Sequence, residues 1–150
     1  MNITRFDETS LTAIYDIEVA CNSHPWSEKL LASCIGGRYI TRQLQSEHGK
    51  IVGFYIADWV IDEMTLMEIC VHPAHQGLGL GQHLLDDLFK QARQNDVIDI
   101  HLEVRASNQS ALHLYQKNGF VETYRRKDYY PSATHISGKE DAIVMKKSLG

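Results

Sequence analysis

The densest chemical signal in the chain is Gln76-Gly77-Leu78-Gly79-Leu80-Gly81, where three of the ten glycines fall within five residues. Glycine lets the backbone approach a ligand closely and adopt positive φ. Consecutive amides in such a loop form a concave nest, and a helix opening behind it adds about half a positive charge. Together these make a site for a phosphate or pyrophosphate. The plainer alternative is a tight strand-to-helix turn with no ligand, which needs fewer glycines. Two familiar phosphate loops do not fit. A Walker loop ends in Gly-Lys-Ser/Thr, whereas Gln82-His83 follow Gly81. A dinucleotide loop has two residues between its last glycines, and here only Leu80 intervenes.

Other residues carry chemistry with a bland alternative beside it. Glu103 stands on the polar side of an alternating stretch, near the end where ligands of α/β sheets gather; it is either a general base or a surface carboxylate. Tyr115 lies about two turns into the next helical segment. It is either a proton donor or a core aromatic. Asn108 opens that helix and could cap it, touch a ligand, or both. Cys70, His72 and His75 are close in sequence, but Pro73 disrupts their spacing and no matching pair follows, so no metal site is expected. Cys70 in mid-strand reads as a small buried hydrophobe before it reads as a nucleophile. Arg125-Arg126-Lys127 would hold an acidic partner or phosphate, or would simply be a solvated strand end.

The elements that must position these groups follow from periodicity. A helix is expected over Leu11–Ala20, capped by Ser10, with Leu11, Ile14, Tyr15 and Ile17 near one face. A second should start after the cap Ser27 and stop at Gly36-Gly37. Strands follow at Tyr39–Ser46 and Lys50–Asp58, joined by a hairpin at Glu47-His48-Gly49. A third strand covers Thr65–Val71, and Pro73 cannot extend its ladder. A helix over Gln82–Gln94 carries Leu84, Leu85, Leu88 and Ala92 as its core stripe. From Asp96 to Val104, Ile98, Ile100, Leu102 and Val104 alternate with Asp99, His101 and Glu103. A helix over Asn108–Lys117 stops at Asn118-Gly119. Two strands, Phe120–Tyr124 and Asp141–Lys146, close the chain. Strand–helix–strand from Thr65 to Val104 implies a parallel pair with a right-handed crossover, and the hairpins imply antiparallel neighbours. The fold class is α/β: a mixed central sheet with helices on both faces.

At 150 residues the chain is long enough for one domain with a proper core, and a single domain over 1–150 is expected. The formal charge of −4 argues against a nucleic-acid partner, whose affinity needs a basic face. Hydrophobic residues at 43% and charged residues at 23% match ordinary globular usage, which excludes disordered and fibrous classes. The longest apolar run is four residues, far below the ~20 that cross a bilayer. Met1–Glu8 lack the apolar stretch of a signal peptide. Cys21, Cys34 and Cys70 are scattered and odd in number, so no disulfide framework is implied. A cytoplasmic protein is expected.

The loop Gln76-x-x-Gly79-x-Gly81 before an amphipathic helix, after a strand and His72-Pro73, resembles the acyl-CoA signature of the GCN5-related N-acetyltransferases, the GNAT superfamily. Pro25-Trp26-Ser27, Leu102-Glu103-Val104-Arg105-Ala106-Ser107-Asn108, Leu114-Tyr115, Gly119-Phe120, Arg125-Arg126, Tyr129-Tyr130-Pro131 and Glu140-Asp141-Ala142 are similar to one bacterial branch of it. That branch acetylates the N-terminal alanine of a small-subunit ribosomal protein. The resemblance runs from about Ile3 to Lys146.

The resemblance implies acetyl-CoA as co-substrate and a protein N-terminal peptide as partner. It implies that backbone groups of Ile69, Cys70 and Val71 pair with the pantetheine arm. Gln76, Gly77, Leu78, Gly79, Leu80, Gly81 and Gln82 match the pyrophosphate loop, and Asn108 a CoA-contacting position. Glu103 matches the general base and Tyr115 the general acid. Physical chemistry agrees: an α-amine titrates near 7.7–8.0, so a modest base suffices, and a phenol near 10 can donate to a thiolate. A GNAT enzyme with another amine acceptor, and a CoA-binding module without turnover, are the alternatives. The nine residues between Tyr130 and Glu140 make a longer connection than the family pattern suggests, which bears on acceptor identity.

Overall fold

The computed structural model describes residues 1–132 and 138–150. It opens with a strand too short for periodicity to reveal, β1 (Asn2–Arg5), paired antiparallel with β2 (Tyr39–Gln45). Ser10 does not cap α1 (Leu11–Cys21): a 3-10 turn over Glu8–Ser10 leads into the helix, so the Ser10 backbone is already helical. Asp7 caps that turn instead, its carboxylate accepting from the Thr9 amide at 2.9 Å. Ser27 does cap α2 (Glu28–Ser33), accepting from the Leu30 amide at 3.1 Å. That helix ends before Gly36, because the Cys34 amide turns back to Leu31 at 3.1 Å and closes the last turn tightly.

β2, β3 (Ile51–Val60) and β4 (Glu63–Val71) form an antiparallel meander. The first hairpin falls at the expected loop, with the Gly49 amide bonded to Ser46 O at 2.9 Å. The second is longer than expected, since both strands run on to a tight turn at Ile61-Asp62. After α3 (Leu80–Gln94) comes β5 (Asp99–Arg105), parallel to β4, then α4 (Gln109–Lys117), β6 (Val121–Pro131) and β7 (Lys139–Ser148). The seven strands lie in the order β1-β2-β3-β4-β5-β7-β6, a mixed sheet. Part of the expected alternation fails. Asp96 takes a left-handed φ of 55°, β5 starts only at Asp99, and Ile98 is 50% exposed while Val97 is buried. Ile100, Leu102 and Val104 face the core as expected.

Each face of the sheet has its own core. On one, Leu84, Leu85, Leu88 and Ala92 of α3 pack with Leu112 and Tyr115 of α4 against Met64, Leu66, Ile100 and Leu102. On the other, Ile14 and Ile17 of α1 and Leu31 of α2 pack with Phe54, Ile56 and Cys70. A polar link ties α3 to the sheet. Arg42 grips Asp87 through Nε at 3.0 Å and Nη2 at 3.1 Å, and the buried Tyr55 hydroxyl donates to the same carboxylate at 2.7 Å.

Two irregularities shape the site. On β3, Ile56 and Ala57 are adjacent, but their partners on β4 are Glu68 and Leu66, so Met67 is an extra residue. Such a bulge reverses the facing of everything beyond it. Leu66 packs with the α3 core, whereas Cys70 packs with the α1 core. The parallel pairing of β4 with β5 also stops at Leu66↔Leu102. Beyond it, β4 keeps only β3 and β5 keeps only β7.

Candidate active site

A cleft of about 480 Å³ opens where β4 and β5 part. Its walls are Ile69, Cys70 and Val71 of β4, the glycine loop, and one side of α4. The His72 amide bonds back to Val52 O at 2.8 Å, so strand alternation turns the Ile69 and Val71 amides away from β3 and into the gap. The gap thus offers a strand edge in the middle of a sheet.

The loop is built as its glycines require. Gly79 sits at the N-cap of α3 with φ 76°, in the left-handed region that other residues enter only at a penalty. Gly77 is likewise at φ 81°. A Cβ on either would meet nothing within 4 Å, so the loop is an open cradle rather than a packed turn. No described side chain caps α3 and its first turn holds no acidic residue, which leaves its first amides pointing outward. Gly81 lies within the first turn, where a Cβ would come to 3.3 Å from Leu114 Cδ2, so its smallness lets α3 approach α4. Gln76 fixes the loop to the strand by donating from Nε2 to Val71 O at 3.0 Å.

Of the residues named from sequence, Ile69, Cys70, Val71, Gln76, Gly77, Gly79, Leu80, Gly81, Gln82 and Asn108 line this cleft. Leu78 does not; its side chain is 66% exposed. Asn108 caps α4, its side chain accepting from the Ala111 amide at 3.2 Å. Sequence reading missed the far wall: Ser110, Ala111, His113, Leu114 and Lys117 of α4. Ser110, His113, Leu114 and Lys117 stand at i, i+3, i+4 and i+7, a spacing that marks one helix face and was the available signal.

A second, smaller cleft adjoins the first through Ile69, Asn108 and Ala111. Glu103 and Tyr115 both line it, together with Trp26, Glu68, Arg105 and Tyr130. Glu103 Oε1 accepts from Arg126 Nε at 2.9 Å, and its side chain keeps 31% of its exposure. Arg126 is exposed on β6, as a solvated strand would be, and the acidic partner it holds is Glu103. Tyr115 is buried, with its ring edge-on to Phe120 at 5.8 Å. Burial first, then the charge of Glu68, pushes its hydroxyl up, so it stays protonated at neutral pH. No described residue hydrogen-bonds that hydroxyl. Burial also pushes the Tyr130 hydroxyl up, to about 12, and the Arg105 guanidinium lies over its ring at 4.4 Å. The turn that presents Asn108 is held by the buried Glu140, which accepts from Ser107 Oγ at 2.9 and 3.1 Å.

Cys70 takes the buried place expected of it. Its thiol donates to Glu18 Oε1 at 3.3 Å, and the contact with Cys21, then burial, pushes it up. A thiol so held is not a ready nucleophile. His72 Nδ1 accepts from the Ala74 amide at 3.1 Å. The connection Pro131–Lys139 lies partly outside the described residues, which omit 133–137.

Residues 11–120 match the Acetyltransferase (GNAT) family, and the chain belongs to that family. Among its relatives, the [ribosomal protein bS18]-alanine N-acetyltransferase of Escherichia coli K12 is 43% identical over 143 residues, covering 95% of this chain and 94% of that one. The crystal structure of the ribosomal-protein-S18-alanine N-acetyltransferase from Escherichia coli superposes with a TM-score of 0.93 at 42% identity, over 99% of this chain and 94% of the other. A GNAT family acetyltransferase from Elizabethkingia anophelis with acetyl-CoA bound gives 0.77 at 26% identity, over 99% of each chain. No helix among the described residues is long and apolar enough to cross a membrane.

Proposed function

We propose that this chain transfers an acetyl group from acetyl-CoA to the N-terminal α-amine of a protein, the N-terminal alanine of the ribosomal protein named for its relatives. The observation that carries this reading is the pair of adjoining clefts at the parted strands. One offers a strand edge and a phosphate cradle, and the other offers a carboxylate and an unpartnered phenol. The residues fit the co-substrate: the open space at Gly77 and Gly79 and the uncapped amides of α3 suit a pyrophosphate. The edge of β4 that β5 leaves, with the Val71 amide turned into the gap, suits the amide-bearing pantetheine arm.

When bound, acetyl-CoA supplies an activated thioester carbonyl. In this reading Glu103 takes a proton from the acceptor amine through Oε2, the oxygen that Arg126 leaves free. Arg126 holds the carboxylate in place. Tyr115 gives its proton to the departing sulfur, and burial keeps that proton available. Asn108 spans the junction of the two clefts.

The test is turnover with acetyl-CoA across peptides that differ in their first residue, read by mass spectrometry. Acetylation at the α-amine, fastest for the relatives' alanine terminus, is the expected result. Acetylation of lysine side chains or small amines alone would move the reading to another acceptor class.

A further inference from the structure

One half-buried group lines the acceptor cleft without a role in the scheme above. Glu68 faces that cleft from β4, just past the Met67 bulge. Beneath it, Glu18 of α1 is fully buried. The Asn22 side-chain amide bridges the two carboxyls, reaching Glu18 at 3.0 Å and Glu68 at 3.4 Å. One carboxyl oxygen of each lies within 4.8 Å of the other and of the Cys70 sulfur. Glu18 also accepts from the Trp26 amide at 3.0 Å, and Glu68 from the Ile69 amide at 3.2 Å. Two carboxylates this close, one fully buried and one half-buried, do not both ionise; one proton is held between them. The Tyr115 hydroxyl, carried on a buried ring and without a partner among the described residues, opens into the same cleft.

We propose that the Glu18–Glu68 pair is the seat of the acceptor's α-ammonium, with Glu68 the group that touches it. This rests on the amine-acetylation reading and deepens it. The pair carries one negative charge and one proton. An arriving ammonium compensates the second charge and drives that proton to solvent. In turnover the docked ammonium then loses an N–H proton to the free Oε2 of Glu103, and the pair takes its own proton back from solvent as the charge beside it disappears. Ammonium, Glu103 carboxylate and singly protonated pair become amine, protonated Glu103 and singly protonated pair, so atoms and charge balance. Burial first, then the charge of Glu18, raises the Glu68 carboxyl well above its ordinary range, so the pair holds its proton until the ammonium arrives. The groups facing it are Glu18 and Cys21 of α1, His24 after α1, and Cys70 of β4. Glu103 and Arg105 of β5, Tyr115 of α4 and Tyr130 of β6 complete the set. Glu103, held by Arg126, remains the base that takes the amine proton.

The test is calorimetry on the enzyme saturated with CoA, which binds without turnover. The probes are an alanine-terminal peptide and the same peptide lacking its α-amine. Titrations at pH 7 in two buffers of different ionisation enthalpy count the protons exchanged. The wild type should release about one proton per amino peptide and none with the des-amino peptide. Glu68→Gln should weaken the amino peptide by about ten- to a hundredfold, the scale of one charge-assisted hydrogen bond. It should abolish the proton release and leave CoA and des-amino peptide affinities unchanged. Equal affinity and equal proton release in Glu68→Gln would overturn the proposal. If that variant no longer binds CoA, the wild-type pair of peptides decides: equal affinity without proton release overturns it. If no amino-terminal peptide binds but another primary amine does, with the same dependence on Glu68, the ammonium seat stands and the peptide acceptor falls.

Discussion

Tyr115→Phe separates a proton donor from a core aromatic because the two roles predict opposite balances of stability and rate. The ring of Tyr115 packs in the α3 core and meets Phe120 edge-on at 5.8 Å, and phenylalanine keeps both contacts. The hydroxyl has no partner among the described residues. Leaving a buried polar group unpaired costs about 1–3 kcal/mol, so removing it should not destabilise. The cleft admits some water to the oxygen, which limits the gain. The variant should lie between wild-type stability and about 1 kcal/mol more stable, a rise in Tm of at most about 4 °C for a chain of this length. Turnover should fall by about a hundred- to ten-thousandfold, the range for a lost general acid. Thermal melting with and without acetyl-CoA and steady-state kinetics at saturating substrates measure both. Near-full turnover, or a stability loss above about 1 kcal/mol, would refute the argument and return Tyr115 to a packing role.

Four further outcomes follow from the same geometry. Gly79→Asp should abolish measurable acetyl-CoA binding by calorimetry, since it forces a side chain into left-handed backbone and sets a negative charge in the phosphate cradle. Glu103→Gln should lower kcat at neutral pH, keep acetyl-CoA affinity, and recover part of the rate as pH rises past about 8, where the acceptor amine is already neutral. Asp87→Ala should cost about 3 kcal/mol in denaturant unfolding, the low end for a broken buried pair, because the Arg42 side chain keeps 22% of its exposure. The raised Glu68 carboxyl makes the folded chain hold a proton that the unfolded chain loses above its ordinary 4.5. Its contribution is therefore full below 4.5 and declines as pH rises through the folded value, so Glu68→Gln should flatten that part of the stability–pH curve.

The glycine loop, the helix behind it and the strand before it were legible because their signals are local: spacing, periodicity and glycine content. The α1 entry was not, since a 3-10 turn displaced the cap from Ser10 to Asp7. The Glu103–Arg126 pair was out of reach because it joins β5 to an edge strand across β7, 23 residues away. Glu68 was hidden for a stricter reason. Simple alternation puts Met64, Leu66, Glu68 and Cys70 on one face, and a one-residue bulge, which leaves no mark in composition, sends the last two to the other.

The parting of β4 from β5 also gives the sheet an uneven response to solvent exchange. Central strands normally hold the slowest amides of a domain, yet Val71 turns its amide into an open cleft, and that of Ile69 is tied only to the neighbouring Glu68 carboxylate at 3.2 Å. Deuterium uptake at Val71 should resemble that of a frayed edge, while Cys70 beside it, bonded toward β3, stays protected. Filling the cleft with the co-substrate should silence the Val71 amide selectively. Exchange along one short stretch of β4 would then report occupancy without any reaction being run, and the alternation itself serves as the internal control.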